Sequence, residues 1–149
     1  MDPKKLAVFG VGRVGLPLAL VFAQKGFEVT GIDVDPYRIS LIKHKIMPFM
    51  EEGAQTLLTK YYGNGFEIYS QEHTNRVISE NQTLVFTLGT PIDETYSPNF
   101  EDIEKLMIRI APFLKEGHLI ILRSTISPGS TEQISRRLEE LTKLKIGQD

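Results

Sequence analysis

A glycine-rich turn near the start of the chain is the feature that most constrains its fold. Gly10, Gly12 and Gly15 form the pattern G-x-G-x-x-G directly after an apolar run, Leu6–Phe9, and directly before an apolar helical segment. In that context the first glycine permits a tight turn, the second lets a diphosphate approach the backbone, and the third lets the helix pack closely on the strand. The N-terminus of the helix offers free N–H groups and a positive dipole end to the phosphates. The predicted cofactor contacts are those of the whole turn: Gly10, Val11, Gly12, Arg13, Val14 and Gly15.

A carboxylate in the right place strengthens this interpretation. Asp33 closes the second β-rich run, Phe27–Ile32, 23 positions after Gly10. There it would accept hydrogen bonds from the adenine-ribose hydroxyls and repel the 2′-phosphate of NADP, so NAD is the predicted cofactor. A bare strand-to-helix turn that binds nothing remains the alternative. Asp35 is better interpreted as a helix N-cap, and Arg38 as either a solvated helix residue or a group that flanks the adenine.

Apolar runs alternate with helical segments along the whole chain. The predicted strands are Leu6–Phe9, Phe27–Ile32, Phe66–Tyr69, Thr83–Leu88 and Leu119–Leu122, and the predicted helices are 14–24, 35–43, 51–61, 71–80, 101–114 and 130–145. Uniformly apolar strands are typical of a parallel sheet that is covered on both faces. We therefore predict an α/β, doubly wound (Rossmann) fold with strand order 3-2-1-4-5. The 149 residues suit one domain, 1–149, which we expect to stop before a sixth strand.

Composition excludes several other classes of protein. The formal net charge of −2 provides no basic excess for nucleic acid. No stretch approaches the roughly 18 apolar residues of a membrane span, and the start lacks a signal peptide, so we expect a cytoplasmic protein without a membrane partner. The sequence has no cysteine, which excludes disulfides and thiolate metal sites. His44, His73 and His118 are scattered, and no metal site is predicted.

Four blocks, in order along the chain, resemble the UDP-glucose/GDP-mannose dehydrogenase family. The segment 10–17 resembles its G-x-G-x-V-G-L-P start, and 48–53 resembles its P-x-x-E-P-G segment. The segment 88–91 resembles the G-T-P loop that follows the fourth strand, and 123–132 resembles the S-T-x-x-P-G-T-T-E block that follows the fifth. The resemblance spans nearly the whole chain, and its last block is far more specific than the glycine pattern.

The resemblance implies an activity and a set of contacts. Members of this family oxidise the C6 alcohol of a nucleotide sugar to a carboxylate with two NAD molecules in succession. The NAD contacts implied are at Val14, Asp33, Arg38, Thr90 and Thr125, with Pro91 and Ser124 beside the two threonines. The hydroxyls of Thr90 and Thr125 would bond the nicotinamide ribose or position a catalytic water, and Thr125 is the candidate catalytic residue. Alternatively, both hydroxyls cap only turns or the following helix.

The same resemblance implies that further parts are needed. The family's catalytic glutamate, lysine, asparagine and thiol lie in later segments, and a thiol is needed to trap the aldehyde as a thiohemiacetal. We therefore expect this chain to be a fragment that holds NAD without completing the reaction. Its expected partners in a longer protein are a UDP- or GDP-sugar and, through a missing helical domain, a second subunit.

Three alternatives remain open at this stage. A β-hydroxyacid-type dehydrogenase would share the cofactor domain and take a lysine from a following helical domain. A non-catalytic module would bind NAD as a sensor or a stabilising ligand. A methyltransferase shares the glycine turn and the acidic residue, but it would bind S-adenosylmethionine in place of NAD.

Overall fold

Parallel strands form the centre of the computed structural model, which describes residues 4–87, 101–126 and 128–148. The strands in these ranges are β1 (Lys5–Phe9), β2 (Glu28–Asp33), β3 (Phe66–Ser70), β4 (Thr83–Phe86) and β5 (Leu119–Leu122). Their order across the sheet is β3-β2-β1-β4-β5, which confirms the predicted order. Asp33 pairs in register with Ser70, and Phe9 pairs with both Ile32 and Phe86. The carboxyl ends of neighbouring strands therefore lie side by side along one edge of the sheet.

Helices connect the strands and cover both faces of the sheet. Within the described ranges they are α1 (Gly15–Gln24), α2 (Pro36–Lys43), α3 (Ala54–Tyr61), α4 (Thr74–Glu80), α5 (Glu101–Ile110) and α6 (Ser130–Thr142). None of these helices is long and apolar enough to cross a lipid bilayer.

The apolar side chains of the strands enter two separate cores, one on each face of the sheet. On one face, Val8 packs with residues of α1, α2 and α3, among them Leu20, Ile42 and Leu58. On the other face, Phe9 packs with residues of α4, α5 and α6. The Phe9 and Phe86 rings stack at 4.8 Å between centroids, so adjacent strands β1 and β4 are joined by aromatic contact just below the edge that carries the glycine turn.

Several helix ends differ from the predicted ones, and each difference has a local cause. The third helix begins at Ala54, after Gly53 adopts a left-handed φ of 75°, and not at Glu51. The last helix ends at Thr142, because Lys143 takes a φ of 65°. The segment predicted as one helix over 71–80 is a 3₁₀ turn over 71–73 followed by α4. That turn keeps Gln71 at the carboxyl edge of the sheet.

The prediction that strand 119–122 is buried is wrong. Leu119 is 55% exposed and Ile121 is 38% exposed. The physical reason is position: β5 is the last strand at one side of the sheet, and no element in the described residues covers the face that these two side chains share. An apolar run shows that a strand is suited to burial, but it does not show what covers it.

Candidate cofactor site

A cleft of about 720 Å³ runs along the carboxyl edge of the sheet. It brings together residues that are far apart in the sequence, from the first turn to the segment after β5. Eight of the predicted contact residues line it: Gly10, Gly12, Arg13, Val14, Asp33, Arg38, Ser124 and Thr125. Thr90 and Pro91 lie outside the described residues. The cleft is therefore built where an open parallel sheet places its ligand, beyond the carboxyl ends of the strands.

The glycine turn is fixed to the sheet at both ends. Gly10 leaves β1 with a φ of 88°, and its N–H donates to the carbonyl of Ile32 at 2.8 Å. A Cβ on Gly15 would overlap the carbonyl of Gly10 and would lie 2.5 Å from Thr87 Oγ1. A side chain at position 15 would therefore force α1 away from β1 and β4, as the third glycine of the pattern predicts.

Gly12 has the opposite surroundings. A Cβ at this position would meet no described heavy atom within 4 Å, so protein packing does not explain the glycine. Gly12 faces the cleft together with Val14, which is 51% exposed. The space that a side chain would fill at Gly12 is therefore the space that a ligand needs in order to approach the backbone.

Within the described residues, no side chain caps the start of α1, whose N-cap position is Val14. The first N–H groups of a helix have no intrahelical acceptor and carry the positive end of the helix dipole. At α1 the Leu16 N–H donates to the Gly12 carbonyl at 3.0 Å and Pro17 has no N–H, so the residues of this helix start that line the cleft are those of the turn, Gly12 to Val14. This turn is where the cleft could hold a diphosphate on backbone amides.

Asp33 is held at the site by several donors. Only 3% of the residue is exposed, and its Oδ2 accepts from the Val11 N–H at 2.8 Å while Oδ1 accepts from the Asp35 N–H at 2.9 Å. Arg38 donates through one Nη to both oxygens, at 2.9 and 3.0 Å. Asp35 also caps α2, as predicted, by accepting from the N–H groups of Tyr37 and Arg38.

This network affects how a ribose can bind. A carboxylate has about four acceptor sites, and the donors already present occupy most of them. The two backbone donors are fixed by the turn, whereas the Arg38 side chain is 32% exposed and lies at the surface of the cleft. A ribose hydroxyl that donates to Asp33 would therefore share or replace the Arg38 contact, and leave the backbone contacts intact.

Two predicted contact residues have mainly structural surroundings. The Val11 side chain is fully buried in the core beside α1, and its N–H is used by Asp33. Gly15 is buried beneath the turn. Neither lines the cleft, so both act on the site by shaping it.

Sequence reasoning missed several cleft residues. Thr87 follows β4 and its hydroxyl donates to the carbonyl of Gly10, which ties the turn to the neighbouring strand. Gln71 follows β3 in the same way that Asp33 ends β2. The carboxyl-end rule, applied to the predicted strand 66–69, points to the segment that contains Gln71, but Thr87 lies inside the predicted strand 83–88 and the rule would have missed it. Lys105, Arg109 and Arg123 also line the cleft. Arg123 directly follows the predicted strand 119–122, whereas no local pattern marks Lys105 and Arg109.

The charges of the cleft suit an anion. Five of the lining residues that the structure describes are basic and one, Asp33, is acidic, although the whole chain has a formal net charge of −2. In the same described residues, no group of three or more histidine, cysteine, aspartate or glutamate side chains is placed to hold a metal ion. The arrangement can hold a phosphate-bearing ligand through its helix terminus and its basic side chains.

Comparisons with known proteins agree with this geometry. The model of the UDP-glucose/GDP-mannose dehydrogenase family, NAD binding domain, matches residues 4–149. The UDP-N-acetyl-D-mannosamine dehydrogenase of Pyrococcus horikoshii is 31% identical over 147 residues, which is 97% of this chain and 34% of that protein.

Solved structures give the same result. The NDP-N-acetyl-D-galactosaminuronic acid dehydrogenase of Methanosarcina mazei superposes with a TM-score of 0.87 at 32% identity, over 99% of this chain and 33% of that one. GDP-mannose dehydrogenase of Pseudomonas aeruginosa superposes with a TM-score of 0.87 at 26% identity, over 97% of this chain and 34% of that one. The chain thus spans about a third of the length of these relatives. The glycine turn, the strand order and the family match lead to one conclusion: this chain belongs to the UDP-glucose/GDP-mannose dehydrogenase family and corresponds to its NAD-binding domain.

Proposed function

We propose that this chain is the NAD-holding part of a nucleotide-sugar dehydrogenase, which oxidises the C6 alcohol of a UDP- or GDP-linked sugar to the carboxylate. The observation that carries the proposal is the combination of an open Gly12 and a buried, anchored Asp33 in a cleft with basic walls. The named relatives supply the substrate class, because each acts on a nucleotide-linked sugar by its name.

In this proposal each group of the cleft has one part of the cofactor. The turn after β1 would hold the diphosphate on its backbone amides, and Asp33 at the end of β2 would hold the adenine ribose. Ser124 and Thr125 follow β5, on the other side of the turn, where the nicotinamide half would lie. Bound NAD accepts a hydride from the sugar carbon that is oxidised. Thr125 lines the cleft on this side, and its hydroxyl would bond the nicotinamide ribose or orient a water.

Substrate chemistry beyond cofactor binding requires groups that this sequence does not contain. The chain has no cysteine, so the thiol that the family uses to trap the aldehyde is not among its 149 residues. We expect the chain alone to bind NAD without producing NADH from any nucleotide sugar.

The test compares the chain with the full protein that carries this domain. NADH formation is followed with UDP-N-acetylmannosamine, UDP-glucose and GDP-mannose, and with small β-hydroxyacids as the competing substrate class. We expect two NADH per sugar from one of the nucleotide sugars in the full protein, and none from the β-hydroxyacids. Turnover of a β-hydroxyacid, or NAD binding without turnover of any substrate, would contradict the proposal.

A further inference from the structure

We propose that Gln71 recognises the outer edge of the adenine ring and that Arg109 is the residue that orients it. This inference rests on the cofactor placement proposed above and deepens it, because it names the group that selects the base. Gln71 lines the same cleft as Gly12 and Asp33 but lies one strand further out.

The order of the strands identifies the part of the cofactor that Gln71 meets. Across the sheet, the carboxyl ends occur in the sequence Gln71 after β3, Asp33 on β2 and the glycine turn after β1. Neighbouring strands lie about 4.8 Å apart. A dinucleotide with its diphosphate on the turn and its ribose on Asp33 therefore extends its next unit, the base, toward β3. Because the base is attached to the ribose through its five-membered ring, its six-membered ring points outward.

The surface between Asp33 and Gln71 suits a flat ring. Val34 follows Asp33 directly, lines the cleft and is 70% exposed, so its aliphatic side chain offers apolar surface to a ligand. Leu106 of α5 lines the same cleft. An adenine ring placed here would cover apolar surface on its faces and would present its polar edge to Gln71.

Gln71 is held at both its main chain and its side chain. The Thr74 hydroxyl, on a residue that is only 4% exposed, donates to the Gln71 carbonyl at 2.6 Å. An Nη of Arg109 donates to Gln71 Oε1 across the cleft from α5. A guanidinium has donors and no acceptor, so it fixes the amide oxygen toward itself and leaves the NH₂ group to meet a ligand.

That orientation matches adenine and rejects altered bases. The outer edge of adenine carries N1, an acceptor for an amide N–H. In 1,N6-ethenoadenine the added ring is bonded to N1, and in hypoxanthine N1 carries a hydrogen and becomes a donor, while the acceptor at this edge moves to O6. An amide that only donates and is held in place by Arg109 would therefore lose its hydrogen bond to N1 in either base, and could bond a displaced acceptor only by leaving the orientation that Arg109 gives it.

The experiment measures the affinities of NAD, 1,N6-etheno-NAD and nicotinamide hypoxanthine dinucleotide by calorimetric titration. We expect the parent chain to bind NAD about tenfold more tightly than either analogue. Gln71→Met keeps the length of the side chain and removes the donor, so it should bind NAD about tenfold more weakly and bind all three dinucleotides alike. Arg109→Met should lower the preference for NAD over the two analogues, because Gln71 then loses the group that orients it. The double variant should bind NAD no more weakly than Gln71→Met does.

The controls separate recognition from structural support. Gln24→Met, at an exposed position on α1 away from the cleft, should preserve the parent affinities. A purely structural role for the Arg109–Gln71 contact would change the melting temperature of Gln71→Met without changing its ratio of affinities. Equal binding of NAD and the analogues by the parent, or an unchanged ratio in Gln71→Met, would overturn the assignment. Absence of NAD binding by the parent would instead overturn the cofactor placement itself, and this assignment with it.

Discussion

Replacing Gly15 with alanine is expected to lower the free energy of unfolding by about 3 kcal/mol, whereas replacing Gly12 with alanine should leave it nearly unchanged. The reason is the difference in their surroundings. A Cβ on Gly15 meets the backbone of Gly10 and the Thr87 hydroxyl, and rigid backbone cannot give way cheaply. A Cβ on Gly12 meets no described atom within 4 Å. Chemical denaturation of the two variants beside the parent measures this contrast.

The same pair of variants separates folding from binding. Gly12→Ala should weaken NAD binding about 100-fold, because the methyl group occupies the space through which the diphosphate approaches the amides. Calorimetric titration at a temperature where both variants are folded checks it. If Gly12→Ala binds NAD as the parent does, then the turn does not hold the diphosphate. Equal stability of Gly15→Ala and the parent would contradict the close approach of α1 to β1.

Replacing Asp33 with alanine is expected to weaken NAD binding about 100-fold and to lower the free energy of unfolding by about 2 kcal/mol. Binding is lost because the acceptor for the ribose hydroxyls is removed. Stability is lost because the buried N–H of Val11 and the guanidinium of Arg38 both lose their partner. The stability effect stays below that of a fully buried ion pair, since the Arg38 side chain is 32% exposed and water can replace the lost contact.

Asp35→Ala is the matched control for Asp33→Ala. It removes the cap of α2 and the second ion pair of Arg38, so it should cost about 1 kcal/mol of stability while NAD affinity stays within about twofold of the parent. Comparable losses of NAD binding in both variants would show that the effect comes from damage to α2 and not from the ribose acceptor.

Arg38 gives the Asp33 prediction a second readout. While Asp33 is present, it repels a 2′-phosphate and holds the guanidinium. Without it, Arg38 becomes available to a 2′-phosphate, so the preference of Asp33→Ala for NAD over NADP should narrow or invert. Adding Arg38→Met should remove that gain. An unchanged preference in Asp33→Ala would show that another group selects between the two cofactors.

The sequence was sufficient for the parts of the fold that local patterns encode. The uniformly apolar strands predicted a parallel sheet and its order, and the spacing of Gly10, Gly12 and Gly15 predicted a turn whose three positions differ in the ways the structure shows. Asp35 as the N-cap of α2 also follows from local chemistry, because a capping side chain needs only the next few amides.

Other features depend on contacts between distant segments and could not be predicted from local sequence patterns. Asp33 accepts a hydrogen bond from the N–H of Val11, 22 residues earlier, and Gln71 accepts one from Arg109, 38 residues later. The exposure of Leu119 depends on which strand lies at the side of the sheet. A sequence pattern identifies Asp33 as a candidate, but the tertiary fold decides which partners the carboxylate already has.

The most direct test of the account is the location of the NAD contact on the molecule. In a titration of the ¹⁵N-labelled chain with NAD, the amide signals of Gly12, Arg13 and Val14 should shift most, together with those next to Asp33. This result would place the diphosphate on the turn and the ribose on the carboxylate. Saturable shifts confined to α5 and α6, or no shifts at the turn at NAD concentrations that saturate the relatives, would contradict it.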